Sequence, residues 1–466
     1  MAVSQVTALD LGYFLQIAFS DGIRNQLSSD YKDWEMIKQV ALNATPDGRQ
    51  LQYLLQTGYG PSAVQARGVT QAAFPASQKA SSSEGVATYK EFDATIEIEY
   101  NLWNRARKAP AKYVEPLANE ISSKTIATKR FMASLVYGDG TGVVGQSTGA
   151  AVVTSPTSSS LTFTVSATTS ARGHIGNFQN GDILVLKNAD GTTTALDTNL
   201  ATEPVYWKVV SKSRSAGTVV LQGLDSAFAP VATITSVTTP PAAGAVFYRY
   251  GQQTGATDAL DLSAITSATD YGTLTEVFAG LESLTANDNR KIHGINLTGS
   301  SAGTRLDGAA GAIDGDMIHE IMDEVKLNVG KNQYKWSKAV SAPQVIRKLI
   351  SDRDSDRRFQ VSDDLKSGSR KFTYQHEEDT LEFVASEFSP AQRIWLFPEG
   401  KSGNSKVLEF HGTDFEPVKG QDMSAFHLRP SANGGHERVM TSYMEALAVL
   451  ICKHPAAFGV ITNFTA

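Results

Sequence analysis

The sequence predicts an α+β protein in which a projecting two-stranded loop and a long helix lead into a small inserted antiparallel β-domain and then a mixed α/β region. Three observations carry this reading. Over 92–102, Phe92, Ala94, Ile96, Ile98, Tyr100 and Leu102 alternate with Asp93, Thr95, Glu97, Glu99 and Asn101, the period-two pattern of a half-buried strand. Over 113–137 the period becomes helical, with Val114, Leu117, Ile121, Thr125, Thr128, Met132 and Leu135 on one stripe. Beyond it charge nearly vanishes: 141–250 holds only six Lys/Arg and five Asp/Glu, and Ser, Thr, Val and Gly dominate.

Taken in order, residues 1–57 read as a helical N-terminal arm, with Trp34, Ile37, Val40 and Ala41 spaced for one helix face. Its apolar patch at 13–19 lacks a basic leader and reads as an amphipathic arm rather than a signal peptide. Residues 58–103 read as an extended loop. Gly58, Gly60 and Pro61 punctuate the chain, and the small polar tract 76–83 buries too little apolar area to order itself, so it reads as mobile. Residues 104–140 hold the long helix. Glu120 and Lys124 sit four apart in the favourable order, and Lys129 and Arg130 lie toward the negative end of the helix dipole. Gly138 is expected to stop the helix by adopting the left-handed conformation.

Residues 141–252 form the inserted β-domain, with strand-like runs at 161–165, 183–186, 205–210, 219–221 and 245–250. Turn chemistry comes from Asn180-Gly181-Asp182 and from 188–191, and the unit is expected to be barrel-like. Residues 253–315 return to the region of the long helix, with 274–284 helical. In 316–435 a helix is expected at 317–329, with Ile318, Ile321, Met322 and Val325 on one face behind Asp314 and Asp316 as candidate N-caps. A short strand at 338–341, a helix at 344–350 opened by Pro343, and strands at 381–384, 393–397 and 407–410 follow. In 436–466, the run 439–452 is apolar almost all round and reads as a central, fully buried strand.

Composition narrows the function. A chain of 466 residues exceeds one ordinary core and is expected to form two or three packed units. No stretch reaches the roughly 18 uninterrupted apolar residues of a membrane span. Cys452 is the only cysteine, which excludes an internal disulfide and a cysteine-based metal cluster and points to a reducing cytoplasm. A net charge of −6 argues against an extended nucleic-acid-binding face, while leaving room for loose, non-specific proximity to DNA.

Candidate chemistry is sparse. Gly140-Thr141-Gly142-Val143-Val144-Gly145 matches G-x-G-x-x-G, but a helix precedes it and a β-rich region follows, the reverse of the order a pyrophosphate needs. Asp352, Asp354, Asp356 and Asp363 have calcium-loop spacing, yet Arg357 stands where the sharp turn needs glycine, so a solvated loop is expected. The eight histidines (174, 293, 319, 376, 411, 427, 436 and 454) lack ligand spacing, and His319-Glu320 lacks a second histidine four residues on. His376-Glu377-Glu378-Asp379 reads as a solvated charge run. There is no G-x-S-x-G elbow, no Walker loop and no recognisable cysteine nucleophile. Three N-x-S/T sequons (Asn43, Asn296, Asn463) carry no weight without a signal peptide. We therefore expect no catalytic, cofactor-binding or metal-binding residues, no cofactor and no enzymatic activity.

The order of parts resembles the major capsid proteins of tailed bacteriophages, the Hong Kong 97-like fold. The likeness is carried by four segments. These are the projecting loop ending in the alternating strand 92–102, the long helix closing at Leu135-Val136-Tyr137-Gly138-Asp139-Gly140-Thr141-Gly142, the segment from Ala342 to Leu349 before a charged loop, and the apolar run from Ala446 into Pro455-Ala456-Ala457-Phe458. The resemblance implies an N-terminal arm, an extended loop, a peripheral domain on the spine helix at 104–140 and 253–315, and an axial domain at 316–435 closed by 436–466. It implies a structural subunit that self-assembles into hexamers and pentamers of an icosahedral virion shell around double-stranded DNA, formed in the host bacterial cytoplasm. The partners it implies are further copies, a portal, decoration or cement proteins and a separate scaffold protein or none, with no membrane. The insertion at 141–252 departs from the minimal family pattern. Lys79 and Lys90 lie where some relatives form a covalent Lys–Asn cross-link, but nothing around either marks it as activated. The alternative reading is a β-rich phage tail or receptor-binding component forming a small oligomer.

Overall fold

The computed structural model describes residues 36–41, 50–58, 81–101, 116–148, 152–153, 160–165, 173–188, 206–214, 216–231, 244–250, 265–266, 269–274, 277–285, 290–297, 302–330, 334–356, 373–377, 379–400, 406–412, 416–417, 427–430 and 436–465. The apolar patch at 13–19, Trp34, Asn43, Lys79, Val114, Asp363 and the side chains of Leu117 and Ile121 lie outside what is described.

One long strand organises the first of two six-stranded sheets. β22 (His436–Cys452) pairs antiparallel along one edge with β4 (Lys90–Glu99), Val439 facing Glu99 and Ala448 facing Lys90. Along its other edge it takes β21 (His427–Pro430), β20 (Glu416–Pro417) and β19 (Leu408–Gly412) in succession. β1 (Lys38–Ala41) joins β19 in parallel. The central position predicted for 439–452 is therefore observed, with Ala446, Ala448, Val449, Leu450 and Ile451 buried.

The second sheet runs β14 (Thr304–Asp307), β23 (Gly459–Thr462), β18 (Arg393–Gly400), β15 (Tyr334–Ser341), β17 (Asp379–Ala385) and β16 (Thr373–His376), with parallel and antiparallel pairs mixed. Its middle strands are buried on both faces, and the period-two rule decides which residue goes where. Ile394, Leu396, Ala339 and Ile461 face a cluster completed by Ile318, Ile321, Met322 and Val325 of the helix Gly315–Val329 and by Val345 and Leu349 of the helix Pro343–Asp356. Trp395, Phe397, Val340 and Val460 face the other way, into a core shared with Leu135, Val136 and Tyr137 at the end of the long helix. Asp314 caps its helix as expected, its carboxylate accepting from Met317 N at 2.9 Å.

The long helix spans Pro116–Val136. Among its described side chains Ile126, Met132, Ala133, Ser134, Leu135 and Val136 are buried, while Thr125 and Thr128 are only half-buried. The predicted stripe is thus one position off at its middle, and near the end sheets and barrel close around most of the helix. Its last turn holds no basic residue, so Lys129 and Arg130 sit too early to benefit from the dipole. Gly138 donates to Leu135 O at 2.9 Å, but the left-handed conformation belongs to Gly140 (φ 86°) and Gly142 (φ 72°). At Gly140 a Cβ would also lie 2.6 Å from Tyr271 O, so only glycine fits.

The low-charge region forms a seven-stranded antiparallel sheet in the order β5 (Val143–Gln146), β11 (Val246–Arg249), β8 (Ile183–Lys187), β9 (Tyr206–Ser213), β10 (Thr218–Leu224), β7 (Ser160–Thr164), β6 (Val152–Val153). A bridge between Ser147 and Val165, with Thr148 N donating to Thr164 O at 2.9 Å, joins the β5 end back to β7 and closes six strands into a barrel. Leu161 and Phe163, Leu184 and Leu186, Trp207 and Val209, and Val219 and Leu221 alternate inward on successive strands.

Several local expectations are corrected. Ile37, Val40 and Ala41 are not a helix face: Lys38–Ala41 is strand β1, and β2 (Gln50–Gly58) follows within the region expected to be a helical arm. β2 pairs with β3 (Ser81–Thr88), so the projecting hairpin starts at Gln50, and Ser81–Ser83 belong to a strand, not to a loop. β4 ends at Glu99, and Glu97, expected to be wet, is buried. The helix expected at 274–284 shrinks to Leu281–Leu284, because Val277 through Leu281 are buried without a break, which leaves no wet face for an amphipathic helix. Asp352, Asp354 and Asp356 lie in a helix that runs to Asp356, not in a loop. Among the described residues no helix is long and apolar enough to cross a membrane.

Candidate functional site at the joints between barrel, hairpin and sheets

The barrel meets the body at one acidic residue. Glu387, between β17 and β18, takes Arg130 of the long helix at 3.3 Å and Arg214 of the barrel at 3.5 Å, and its carbonyl accepts a further 2.9 Å bond from Arg214. Beside it, His174 Nε2 donates to Phe388 O at 2.5 Å while its Nδ1 accepts from Gly176 N at 3.0 Å. Burial, reinforced by the charges of Arg214, Lys212 and Arg393, lowers the His174 pKa to about 3 despite its bond to Phe388, so the ring is neutral in this bridge. Lys212 Nζ donates to the carbonyls of Gly176 and Phe178 at 3.1 and 2.5 Å. Burial, with the charge of Arg214 next, brings the Lys212 pKa down to about 8. On the other side Arg249, at the end of β11, donates to Asp182 at 2.9 Å and to Asn177 O at 2.7 Å, and lies 4.6 Å over the Phe131 ring of the long helix.

The hairpin is anchored at its base. Asp270 accepts from the backbone N–H groups of Gly272, His293 and Gly294, which fixes a turn whose His293 O accepts from Val86 N at 2.9 Å. The Tyr53 hydroxyl sits 3.0 Å from His293 Nδ1. Burial holds His293 at about 4, and hence neutral. Gly85 is required here, since a Cβ would fall 2.6 Å from the Tyr53 ring. On the hairpin's outer face Leu54 is 74% exposed.

In β19, between β1 and β22, Glu409 is buried among Lys38 and Lys453, each at 2.9 Å, and His411 at 3.2 Å. Burial alone would raise its pKa; the three hydrogen bonds and the charge of Lys453 outweigh that and bring it to about 2. A carboxyl whose folded value lies below its unfolded one contributes stability that is present above the ordinary value of 4.5 and lost as pH falls toward 2. Glu409→Gln should therefore lower stability at pH 7 and flatten the acid limb of the unfolding curve between these two values. A limb as steep as the parent's would show that the carboxylate carries none of it.

The sequence-derived candidates are dispersed. Gly140–Gly142 is a turn leading from the helix into β5, which holds Val143–Gly145, with Asp139 accepting from Thr141 N and Oγ1 at 3.0 and 2.5 Å. Lys90 is buried in β4, not displayed on the hairpin. Burial pushes the Cys452 thiol up, which suits packing and opposes nucleophilic use. Asn296 ends β13 (Ile295–Asn296), and Asn463 donates to Asp307 at 2.8 Å. The tract expected to be a solvated charge run is instead packed at its two ends, while Glu377 stays exposed. His376 and Asp379 are buried, Lys326 Nζ lies 3.1 Å from both Glu377 and Asp379, and His319 is drawn against His376. Sequence reasoning missed this cluster. Among the described residues no three or more His, Cys, Asp or Glu side chains converge as a metal seat. An open cleft of about 770 Å³ between β4, the long helix and the barrel is lined by Glu91, Asp93, Lys124, Arg130, Gln179 and Tyr250, a mixture of charges without a catalytic constellation.

This β-rich architecture with few helices is the fold of phage capsid proteins. It matches a cyanophage A-1(L) capsid subunit over 99% of this chain and 100% of that one, with a TM-score of 0.50 and 10% identity. Lower-scoring matches include the capsid of a native GTA particle (TM-score 0.44, 11% identity, 100% of both chains) and Mycobacterium phage Adephagia (TM-score 0.41, 8% identity, 99% of both). No protein-family model and no curated protein matches the sequence.

Proposed function

We propose that this chain is the major capsid subunit of a tailed bacteriophage, a structural protein without enzymatic activity that assembles through copies of itself into an icosahedral shell. The observation that carries this is the end-to-end likeness to the cyanophage capsid subunit, which spans hairpin, long helix and both sheets. In Hong Kong 97-like terms, β2–β3 is the extended loop, the region at 104–140 and 253–315 is the peripheral domain, and 141–252 is an inserted β-domain. Residues 316–435 with 436–466 are the axial domain, and β1 is the inner end of the N-terminal arm.

The physics of the parts supports the reading. A two-stranded hairpin is marginal alone, and Leu54 on its outer face keeps apolar surface available for a neighbour. In this reading hexamers and pentamers tile the virion shell, the interior faces double-stranded DNA without reading it, and portal, scaffold or cement proteins are further partners.

Size-exclusion chromatography followed by negative-stain microscopy of purified protein tests this. The expected result is ring-shaped capsomers or closed particles. A homogeneous small oligomer at every concentration and salt condition would instead favour a tail or receptor-binding component.

A further inference from the structure

The open cleft of about 770 Å³ between β4, the long helix and the barrel lies in the size range of ligand pockets. Glu91, Phe92, Asp93 and Ala94 line it in unbroken succession. Successive side chains of a strand point to opposite faces, so a run of four lines one cleft only where the cleft opens on the strand's edge. β4 pairs with β22 along one edge, and among the described residues no strand pairs with the other. In an antiparallel pair every second residue turns its N–H and C=O away from the partner strand, and such an edge is a template for a further strand.

The helix and barrel side of the cleft holds donors in need of an acceptor. Gln179, just before the turn into β8, is a buried lining residue whose Nε2 has no hydrogen-bond partner. Arg130 Nε, on the long helix, is likewise buried and unpartnered, although the same guanidinium reaches Glu387 at 3.3 Å. A buried donor without an acceptor is destabilising, and a carbonyl entering the cleft removes that cost. The charges add a direction. Arg130 is held by Glu387 and Arg249 by Asp182. Of the other charged lining residues two, Glu91 and Asp93 on the strand, are acidic and one, Lys124 on the helix, is basic. Partial burial and, next, the charge of Glu91 raise the Asp93 pKa, which marks a carboxylate short of positive charge. Phe92, Phe131, Ile126 and Val277 supply an apolar lining, the two phenylalanine rings meeting edge to face at 5.7 Å.

We propose that this cleft binds an extended segment of a partner protein, with basic and apolar residues in alternation, as an added strand on the open edge of β4. The alternation follows from β4 itself. Residues directly opposite one another on paired strands share a face and interact, so a basic side chain belongs opposite Asp93, and apolar ones opposite Phe92 and Ala94. On the segment's far side its carbonyls accept from Gln179 and Arg130. An acidic segment is excluded by repulsion from Glu91 and Asp93. The surface thus serves a second protein species, a role beyond the contacts among copies that build a shell.

The test is fluorescence anisotropy of the full chain with a labelled peptide in which lysine and valine alternate. The expected result is saturable binding that a glutamate–valine peptide does not show. N-methylating alternate backbone amides of the peptide keeps its side chains but removes ladder donors, and should weaken binding by about 10-fold or more. Asp93→Asn and Gln179→Met should each weaken it roughly 5-fold. Neither should lower the melting temperature of the free chain, since Asp93 is exposed and Gln179 Nε2 has no hydrogen-bond partner. If a variant does melt lower, the methylated peptide decides, because its result needs no variant to fold. Absence of saturable binding, equal binding of the methylated peptide, or binding unchanged in both variants would each overturn the proposal. So would hydrogen exchange showing every amide of 91–94 protected in assembled, peptide-free protein, which would give the edge to a second copy.

Discussion

Trp395→Ala should lower the unfolding free energy of the soluble subunit by about 3–5 kcal/mol. Trp395 is fully buried in β18, faces the core shared with the long helix, and packs against Tyr137 with ring centres 6.2 Å apart. Its neighbours Ile394 and Leu396 face the opposite cluster. The strand is therefore clamped from both sides and cannot move in to fill the hole, which puts the cost at the high end for such truncations. The indole Nε1 has no hydrogen-bond partner among the described residues. Trp395→Phe should thus cost less than about 1.5 kcal/mol, since volume is mostly kept and no bond is lost. Denaturant titration of both variants checks this. A Trp395→Ala midpoint within ~0.5 kcal/mol of the parent would mean that the two faces of β18 are not both packed.

Arg249→Ala should cost about 2–3 kcal/mol and loosen the barrel from the long helix. The substitution strips Asp182 of its partner and leaves Asn177 O without its 2.7 Å donor. Asp182 keeps 23% of its side-chain exposure, so the loss falls below the 3–5 kcal/mol of a fully buried broken pair. Arg249→Lys should recover little, because it lacks the planar guanidinium that reaches Asp182 and Asn177 O through separate nitrogens while stacking on Phe131. Limited proteolysis should show earlier cleavage at the ends of the barrel in both variants. A lysine variant as resistant as the parent would reduce the contact to simple charge neutralisation.

What could be read from the sequence was local and periodic. The long helix, the inward alternation of the barrel strands, the cap at Asp314 and the apolar run of β22 each write their environment into consecutive residues. The failures have a common physical origin. β1 is four residues long and exists only because β19 lies beside it, so its composition could pass for a helix face. β2 did carry a signal, since Leu51, Tyr53 and Leu55 alternate with Gln50 and Gln52; exposed Leu54 interrupts it. The apolar block before Leu281 has the composition of a helix, but its burial on all sides belongs to an irregular core segment. For the histidine pair no local signal existed. His319 and His376 come from different elements and meet only when β16 is laid beside the helix, and a tract rich in Glu and Asp reads as wet until tertiary structure buries half of it.

The topology of β22 governs the order in which the molecule can be made. Among the described residues β4 pairs only with β22, across most of the chain, and β14 only with β23, across about a third of it. On a ribosome the early strands emerge with their edges unsatisfied, and they wait until the last strands have been synthesised. Such non-local pairing makes folding slow. While it is pending, apolar strand edges are open to pairing with other nascent chains. The barrel differs, since all its strands lie within one continuous stretch, and it can close while the rest of the protein is still being translated. Each newly made subunit thus passes through a stage with one finished module and two unfinished sheets, the stage at which a chaperone, or its absence, decides the yield of folded protein.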